Sequence, residues 1–333
     1  MKVFLGTPRG FCAGVVRAID VVELVLERFG SPVYVKHQIV HNPYVVNSLE
    51  AKGAITVEDV EDIPEGATVV FSAHGSPPED FQKAAARNLH VVDATCPLVT
   101  KVHNEAHKYA REGRRLVLVG HRGHQEVKGS MGQEPMELVN DGESIELPDW
   151  DRDTPVTVLT QTTRSVDDTE EFDPPPEDSD TPVAVLTQTT LSVDDTRKSI
   201  EQIQKRFSNV IVRNDLCYAT TNRQAAVKDL CRLVELVLVI GAPESSNCNR
   251  LREVAQAHGV RAYLINGPED LDMAWLDGVD NVGITSGAST PELLVDAVIT
   301  AIAPEEVSLL KGAEEDINFV LPVELRPVPE TTT

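Results

Sequence analysis

Three cysteines stand in the same local setting. Cys12 lies in Gly10-Phe-Cys-Ala-Gly14 after the apolar Val3-Phe4-Leu5, Cys96 in Thr95-Cys-Pro97 after Val91-Val92, and Cys217 in Leu216-Cys-Tyr218 after Val210-Ile211-Val212. Each precedes a helical pattern. At a strand-to-helix turn, backbone N–H groups and the helix N-terminus favour an anionic thiolate. Local Cys-x-x-Cys pairs, the usual mark of structural zinc, are absent. Well-separated single cysteines fit an iron–sulfur cluster held at a junction of domains; three buried structural cysteines are the plain alternative. Three thiolates around a four-iron cluster leave one iron open, and an open iron can bind a substrate oxygen as a Lewis acid. Cys231 falls in a helical apolar stretch and reads as core. Cys248 lies in a polar loop and reads as packing rather than a fourth ligand.

The histidines repeat the pattern. His41, His74 and His124 each follow a strand, beside Asn42, Gly75 and Gly123. One such histidine is an ordinary loop residue; three in one setting point to a shared anion site, because imidazole donates to phosphate oxygens and nearby glycine lets the backbone approach. Glu126, two residues after His124, is either a first-turn carboxylate favoured by the helix dipole or a proton donor beside that anion site. Ser245, Ser246, Asn247 and Ser289 stand at strand ends before helices. They are caps, or hydroxyl and amide donors that cradle a diphosphate without adding positive charge.

The elements that must position these residues alternate between strand and helix. Val15 to Phe29 puts Val15, Ile19, Val22 and Leu26 on one helical face. Strands are expected at 33–35, 68–71, 90–92, 115–119, 210–212, 236–240, 261–265 and 282–284, with helices at 45–52, 98–111, 193–207 and 221–233. This is an α/β chain of three similar units, each contributing one cysteine to a shared centre. A near-verbatim duplication interrupts the second unit: Thr154-Pro-Val-Thr-Val-Leu-Thr-Gln-Thr-Thr163 recurs 27 residues later as Thr181-Pro-Val-Ala-Val-Leu-Thr-Gln-Thr-Thr190. Between the copies runs Glu170-Glu-Phe-Asp-Pro-Pro-Pro-Glu-Asp-Ser-Asp180, which cannot form a helix interior. With one copy set aside, the two intervals between the cysteines become alike. The expected boundaries are 1–96, 97–208 with 154–180 as the extra insert, 209–312, and a C-terminal tail at 313–333 crossing the surface.

Composition limits the partners. At 333 residues, 41% hydrophobic and 25% charged, the chain is an ordinary globular protein able to bury more than one core. A formal charge of −23 argues against nucleic acid or an anionic membrane surface as a partner. No run of about 18 apolar residues marks a transmembrane helix, and the N-terminus lacks a signal-peptide layout, so the expected location is the cytoplasm. Five cysteines in that setting read as ligands, nucleophiles or core rather than a disulfide framework.

Taken together, these motifs resemble those of the 4-hydroxy-3-methylbut-2-enyl diphosphate reductases, over nearly the whole chain. The resemblance rests on the joint order of Gly10–Arg17, Val40-His-Asn42, Ser72-Ala-His-Gly75, Asp93–Pro97, Gly123-His-Gln-Glu126, Thr187-Gln-Thr-Thr190, Cys217–Gln224, Ser245-Ser-Asn247 and Gly287-Ala-Ser289. It implies a cloverleaf of three α/β domains around a [4Fe–4S] cluster with Cys12, Cys96 and Cys217 as ligands. It also implies a diphosphate pocket lined by His41, His74, His124, Ser245, Ser246, Asn247 and Ser289, with Glu126 as proton donor and Thr189 positioning the substrate hydroxyl. The implied reaction is reductive dehydroxylation to isopentenyl and dimethylallyl diphosphate, by two single-electron transfers from ferredoxin or flavodoxin. Two features depart from the family: Cys248, where relatives often carry serine, and the duplication. The second Thr-Gln-Thr-Thr copy is taken as the family's segment because the pattern continues from it to the third cysteine. Thr162 is its rival, and the extra residues could compete for the same strand position.

Overall fold

The computed structural model describes residues 1–139, 147–151, 154–160, 186–187, 203, 205–207, 210–212 and 217–326. Within these, three parallel sheets are each covered by helices. The first contains β2 (Val33–Lys36), β3 (Ala54–Val57), β4 (Thr68–Phe71) and β5 (His90–Asp93), in the order β3-β2-β4-β5. The second contains β6 (Arg115–Val119), β7 (Met136–Val139), β8 (Val156–Thr160), β9 (Leu186–Thr187) and β10 (Val210–Val212), in the order β10-β8-β9-β6-β7 with a further β8–β6 pairing. The third is ordered β12-β11-β13-β1-β14, from β1 (Lys2–Leu5), β11 (Leu236–Ile240), β12 (Arg261–Ile265), β13 (Asn281–Ser286) and β14 (Glu306–Leu309). Every pairing is parallel, which is why central strands such as β11 are apolar at every position: both faces lie under helices.

The helices whose full span lies among the described residues are α1 (Ala13–Phe29), α2 (Pro43–Glu50), α3 (Pro78–Ala86), α4 (Pro97–Arg111), α5 (Gln125–Met131), α6 (Tyr218–Leu230), α7 (Ser246–Ala257) and α8 (Glu292–Ile302); most of the expected helix at 193–207 lies outside the described residues. Their starts follow local chemistry. Proline opens α2, α3 and α4, where its missing N–H costs nothing. Asn42 and Ser245 cap α2 and α7 through side-chain oxygens that accept from Val45 N–H and Cys248 N–H.

Two expected memberships are corrected. Val3-Phe4-Leu5, assigned above to the first unit, pairs with β13 and β14 in the third sheet. Val210-Ile211-Val212, assigned to the third unit, pairs with β8 in the second. The reason is one rule applied three times: at each cysteine the chain leaves one sheet and its next helix covers another. β1 is in the third sheet, yet α1 buries Val15, Ala18, Val22 and Val25 against Val33, Val35 and Val70 of the first. β5 is in the first, yet α4 buries Val102, Ala106 and Tyr109 against Leu116, Leu118 and Leu159 of the second. β10 is in the second, yet α6 places Val227 in a core with Val237 and Val239 of the third. Cys12, Cys96 and Cys217 therefore sit at the three crossings.

The duplication meets the second sheet at one place. Leu118 and Val119 of β6 pair with Leu159 and Thr160 of β8, and also with Leu186 and Thr187 of β9. The two copies thus present equivalent residues to the same two positions of β6. The tail does more than cross the surface. Beyond β14, which extends the third sheet beside β1, Leu325 of the tail, in a short helical turn at Val323–Leu325, is buried in the core beneath α1.

Candidate active site

One cavity of about 140 Å³ opens where the three sheets meet. All three cysteines line it, each as the N-cap residue of its helix: Cys12 on α1, Cys96 on α4 and Cys217 on α6. Two of the caps are tied to the lobe whose strand precedes them. Cys12 N–H donates to the Ala288 carbonyl (3.1 Å), and Cys96 N–H donates to the Ala73 carbonyl (3.0 Å). Gly14 keeps the sulfurs accessible to one another: a Cβ there would stand 2.9 Å from Cys96 Sγ and 3.8 Å from Cys12 Sγ.

Burial pushes the Cys96 thiol up to about 12, opposed by the N–H groups of Leu98 and Val99 and reinforced by Cys12 and Glu126. Burial also raises Cys217, with the charges of Cys12 and Cys96 next in weight and the N–H groups of Thr220 and Ala219 opposing. Sulfurs gathered in one cavity, with the Cys96 and Cys217 thiols held neutral by burial, form a site for a cationic centre, because a bound metal favours the thiolate. Among the described residues, no three histidine, cysteine or carboxylate donors close on a single ion. Three cysteine sulfurs lining one cavity are a donor set that fits an iron–sulfur cluster.

The cavity also gathers imidazoles, hydroxyls and an amide. His41, His74 and His124 pack as a triangle, with ring centroids 4.2, 5.7 and 6.0 Å apart. Burial, followed by the neighbouring imidazoles, drives His124 down to about 3 and His74 well below its ordinary value. Burial lowers His41 as well, with Glu244 opposing. Burial thus favours the neutral form of all three rings. His124 Nδ1 accepts from Glu126 N–H (3.2 Å), so its proton sits on Nε2. Asn247 uses Oδ1 to accept from Ala288 N–H (3.2 Å), while its buried Nδ2 has no partner among the described residues. A buried amide left with free donor capacity is what an absent anionic oxygen would satisfy. Ser289 Oγ donates to the His41 carbonyl (3.1 Å), locking the third lobe to the first. Ser245, Ser246 and Glu126 complete this group, with Glu126 buried at 4% exposure.

Cys12, Cys96, Cys217, His41, His74, His124, Glu126, Ser245, Ser246, Asn247 and Ser289 are therefore brought to one cavity. Thr189, and its rival Thr162, lie outside the described residues. Sequence reasoning missed the apolar lining, Val15, Val40, Leu98 and Val99, whose place among the polar groups of the cavity has no linear signal. It also gave no role to Tyr218 or Arg223, although both lie inside a quoted motif. Tyr218 Oη accepts from Ala13 N–H (3.1 Å), bridging the first turns of α1 and α6. Arg223, with no exposed side chain, donates to the carbonyls of Gly10 (2.7 Å) and Ala219 (2.9 Å) and pairs with Glu315 of the tail (3.0 Å). Two neighbours of catalytic-looking residues are structural: Cys248 is fully buried under Gly241 and Gly287, and Cys231 ends α6.

The fold and the site define a class: a three-lobed α/β protein whose central cavity brings three helix-capping cysteines together with a neutral, donor-rich anion cradle. The chain matches the family model described as LytB protein over residues 3–303, and it belongs to that family. It is 52% identical to 4-hydroxy-3-methylbut-2-enyl diphosphate reductase 1 of Rhodopseudomonas palustris, covering 97% of this chain and 99% of the relative. It is 51% identical to the corresponding reductase 2 of Bradyrhizobium diazoefficiens, covering 98% and 99%. Among solved structures, it is similar to the E-1-hydroxy-2-methyl-but-2-enyl-4-diphosphate reductase of Plasmodium falciparum, with a TM-score of 0.82, 34% identity, and 97% and 96% of the two chains covered. The enzyme class carried by these relatives is oxidoreductase. No helix among the described residues is long and apolar enough to cross a membrane.

Proposed function

We propose that this chain is a cytoplasmic reductase that converts 4-hydroxy-3-methylbut-2-enyl diphosphate to isopentenyl and dimethylallyl diphosphate, the terminal step of the non-mevalonate pathway. The observation that supports this reading best is the meeting, in one cavity, of three N-capping cysteines with an anion cradle. Cys12, Cys96 and Cys217 would hold a [4Fe–4S] cluster through one sulfur each. When bound, the cluster supplies single electrons and an iron without a protein ligand, able to act as a Lewis acid.

The protein's own residues account for the rest. His41, His74 and His124 receive the diphosphate, taking up positive charge only as the anion enters. Asn247 Nδ2 and the hydroxyls of Ser245 and Ser246 add donors at the N-terminus of α7, where the helix dipole also favours an anion, and Ser289 joins them by turning its hydroxyl from the His41 carbonyl to the diphosphate. Val15, Val40, Leu98 and Val99 cover the five-carbon chain and exclude water. Glu126, buried beside His124, hands a proton to the reacting end. Thr189 would position the substrate hydroxyl. The net change consumes two electrons and two protons: the C–O bond breaks, the hydroxyl leaves as water with one proton, and carbon takes the other. Electrons come from ferredoxin or flavodoxin, one at a time.

The test is anaerobic. Iron and sulfide are quantified, and oxidation of a reduced viologen dye is followed with and without the hydroxylated allylic diphosphate. The reading expects brown protein with about four irons per chain and dye oxidation only when substrate is present. A loaded protein that never oxidises the dye would overturn it.

A further inference from the structure

A second cleft, of about 530 Å³, is lined in part by Thr95 and Pro97, the two residues that flank Cys96. Cys96 itself lines the catalytic cavity, so both spaces draw on the same short stretch of chain, 95–97. The floor of the cleft is Arg17 of α1, whose Nη1 donates to the carbonyls of Ala94 and Thr95 (both 3.1 Å) and whose Nε donates to the Val320 carbonyl (2.8 Å). Arg17 thus ties the cleft to the backbone leading into Cys96, and it lies on the helix that Cys12 caps.

The lining runs against the charge of the molecule. In a chain of net charge −23, the cleft gathers Arg17, Lys101, Lys108 and Arg326 with one carboxylate, Glu105. Arg326 lies close enough to Arg17 for their charges to repel. Lys101 and Lys108 lie two turns apart on exposed α4, about 10 Å at 1.5 Å per residue. On the facing edge, Val320 and Val323 are each 72% exposed. Cations strung over such a distance, with a carboxylate among them and an apolar rim, do not converge on a small anion. They match a protein surface with an acidic ring around an apolar centre.

We propose that this cleft is the docking surface for a small acidic one-electron carrier protein, which delivers electrons by way of Cys96 while substrate fills the catalytic cavity. The inference rests on the reductase reading, which requires electrons to enter singly while the cavity is occupied. The rest of the acidic surface repels such a partner, so the basic cleft both orients the encounter and accelerates it.

The experiment uses loaded enzyme and a plant-type [2Fe–2S] ferredoxin as the probe. Binding is measured by calorimetry at low and high salt, and turnover is measured with reduced ferredoxin and with methyl viologen. The variants are K101E/K108E/R326E and the milder K101Q/K108Q. Wild type should bind ferredoxin and lose affinity with salt. The triple variant should weaken Kd and raise KM for ferredoxin at least about tenfold, the double variant by a smaller factor, while viologen-driven turnover stays within about twofold of wild type. Overturning results are no ferredoxin binding by wild type at low salt, unchanged Kd and KM in both variants, or an equal fall of ferredoxin- and viologen-driven rates. Loss of inorganic pyrophosphate binding in the variants with ferredoxin affinity intact would assign the cleft to a small anion instead. If wild type never oxidises viologen with substrate, the reductase reading fails, and the binding arm still decides whether the cleft docks the carrier.

Discussion

Glu126 is held in place by groups other than the one it would protonate. Its N–H is fixed on His124 Nδ1, and its side chain is buried in the cavity wall. Glu126→Gln preserves that geometry and removes the proton. Substrate-dependent turnover should fall about 10²–10⁴-fold, the usual weight of a positioned general acid. Iron content and the visible spectrum should stay unchanged; full activity in the variant would remove Glu126 from the chemistry. The histidine triangle predicts a pH effect. Empty, the three rings are held below their ordinary 6.5 chiefly by burial, then by neighbouring imidazoles, His41 first among them, at His74 and His124, while Glu244 opposes the shift at His41. A bound diphosphate raises their pKa values, so the complex holds more protons than the free protein. Binding therefore takes up protons, and affinity strengthens as pH falls from the raised values toward the depressed ones. Calorimetry of inorganic pyrophosphate in buffers of different ionisation enthalpy should show net uptake near pH 7. Proton release would mean that the rings are already charged.

At the scale of elements, the second sheet carries one slot and two candidate strands. β8 fills it, pairing with β6 and β10, while β9 reaches the same Leu118 and Val119. The copies are not equal occupants. Thr157 is fully buried, and its Oγ1 has no hydrogen-bond partner among the described residues; its counterpart 27 residues on is Ala184. An unpaired buried hydroxyl costs about 1–3 kcal/mol, and the methyl lost with threonine takes back about 0.8 kcal/mol. Deleting residues 154–180 leaves the alanine copy; deleting 161–187 leaves the threonine copy. Both shortened chains should fold and turn over substrate, and the alanine version should be the more stable by about 1 kcal/mol in urea unfolding. The reverse order would identify the first copy as the better strand. Failure of both to fold would show that the second domain needs both copies.

At the scale of the molecule, the lobes are held closed around the cavity by a few long-range ties. Arg223 joins α6 to Gly10 ahead of Cys12 and to Glu315 of the tail. Glu315→Ala removes the only carboxylate that faces this buried guanidinium in the hydrogen bonds described. Breaking a buried pair costs about 3–5 kcal/mol. The carbonyls of Gly10 and Ala219 still accept from Arg223, so a loss near about 3 kcal/mol is expected, read by chemical denaturation of the cluster-free protein. Retention of iron on exposure to air should fall in parallel, because Gly10 shares a loop with Cys12. A loss below about 0.5 kcal/mol, the range of ordinary surface changes, would show that the tail is a passive strap.

The sequence by itself determined the chemistry and the alternation of elements. Three cysteines and three histidines after apolar runs marked the site, because in an α/β chain the turn after a strand is where a helix N-terminus presents its donors. The helices at α1, α4 and α6 and the strand β11 were legible because their apolar periodicity is local. β3, β7 and β14 were not: they are no shorter than β2 or β4, but Thr56, Glu137 and Ser308 each break the apolar run, so nothing local separates them from loop. Only the tertiary structure decided which sheet each strand joins. β1 and β10 look like the openings of the units they precede, but parallel pairing is chosen by long-range packing, not by sequence neighbours. That choice places every cysteine at a crossing between lobes, so no lobe builds the centre alone. It also puts Arg17, Lys101, Lys108 and Arg326, scattered over more than 300 residues, on one cleft beside the residues that flank Cys96.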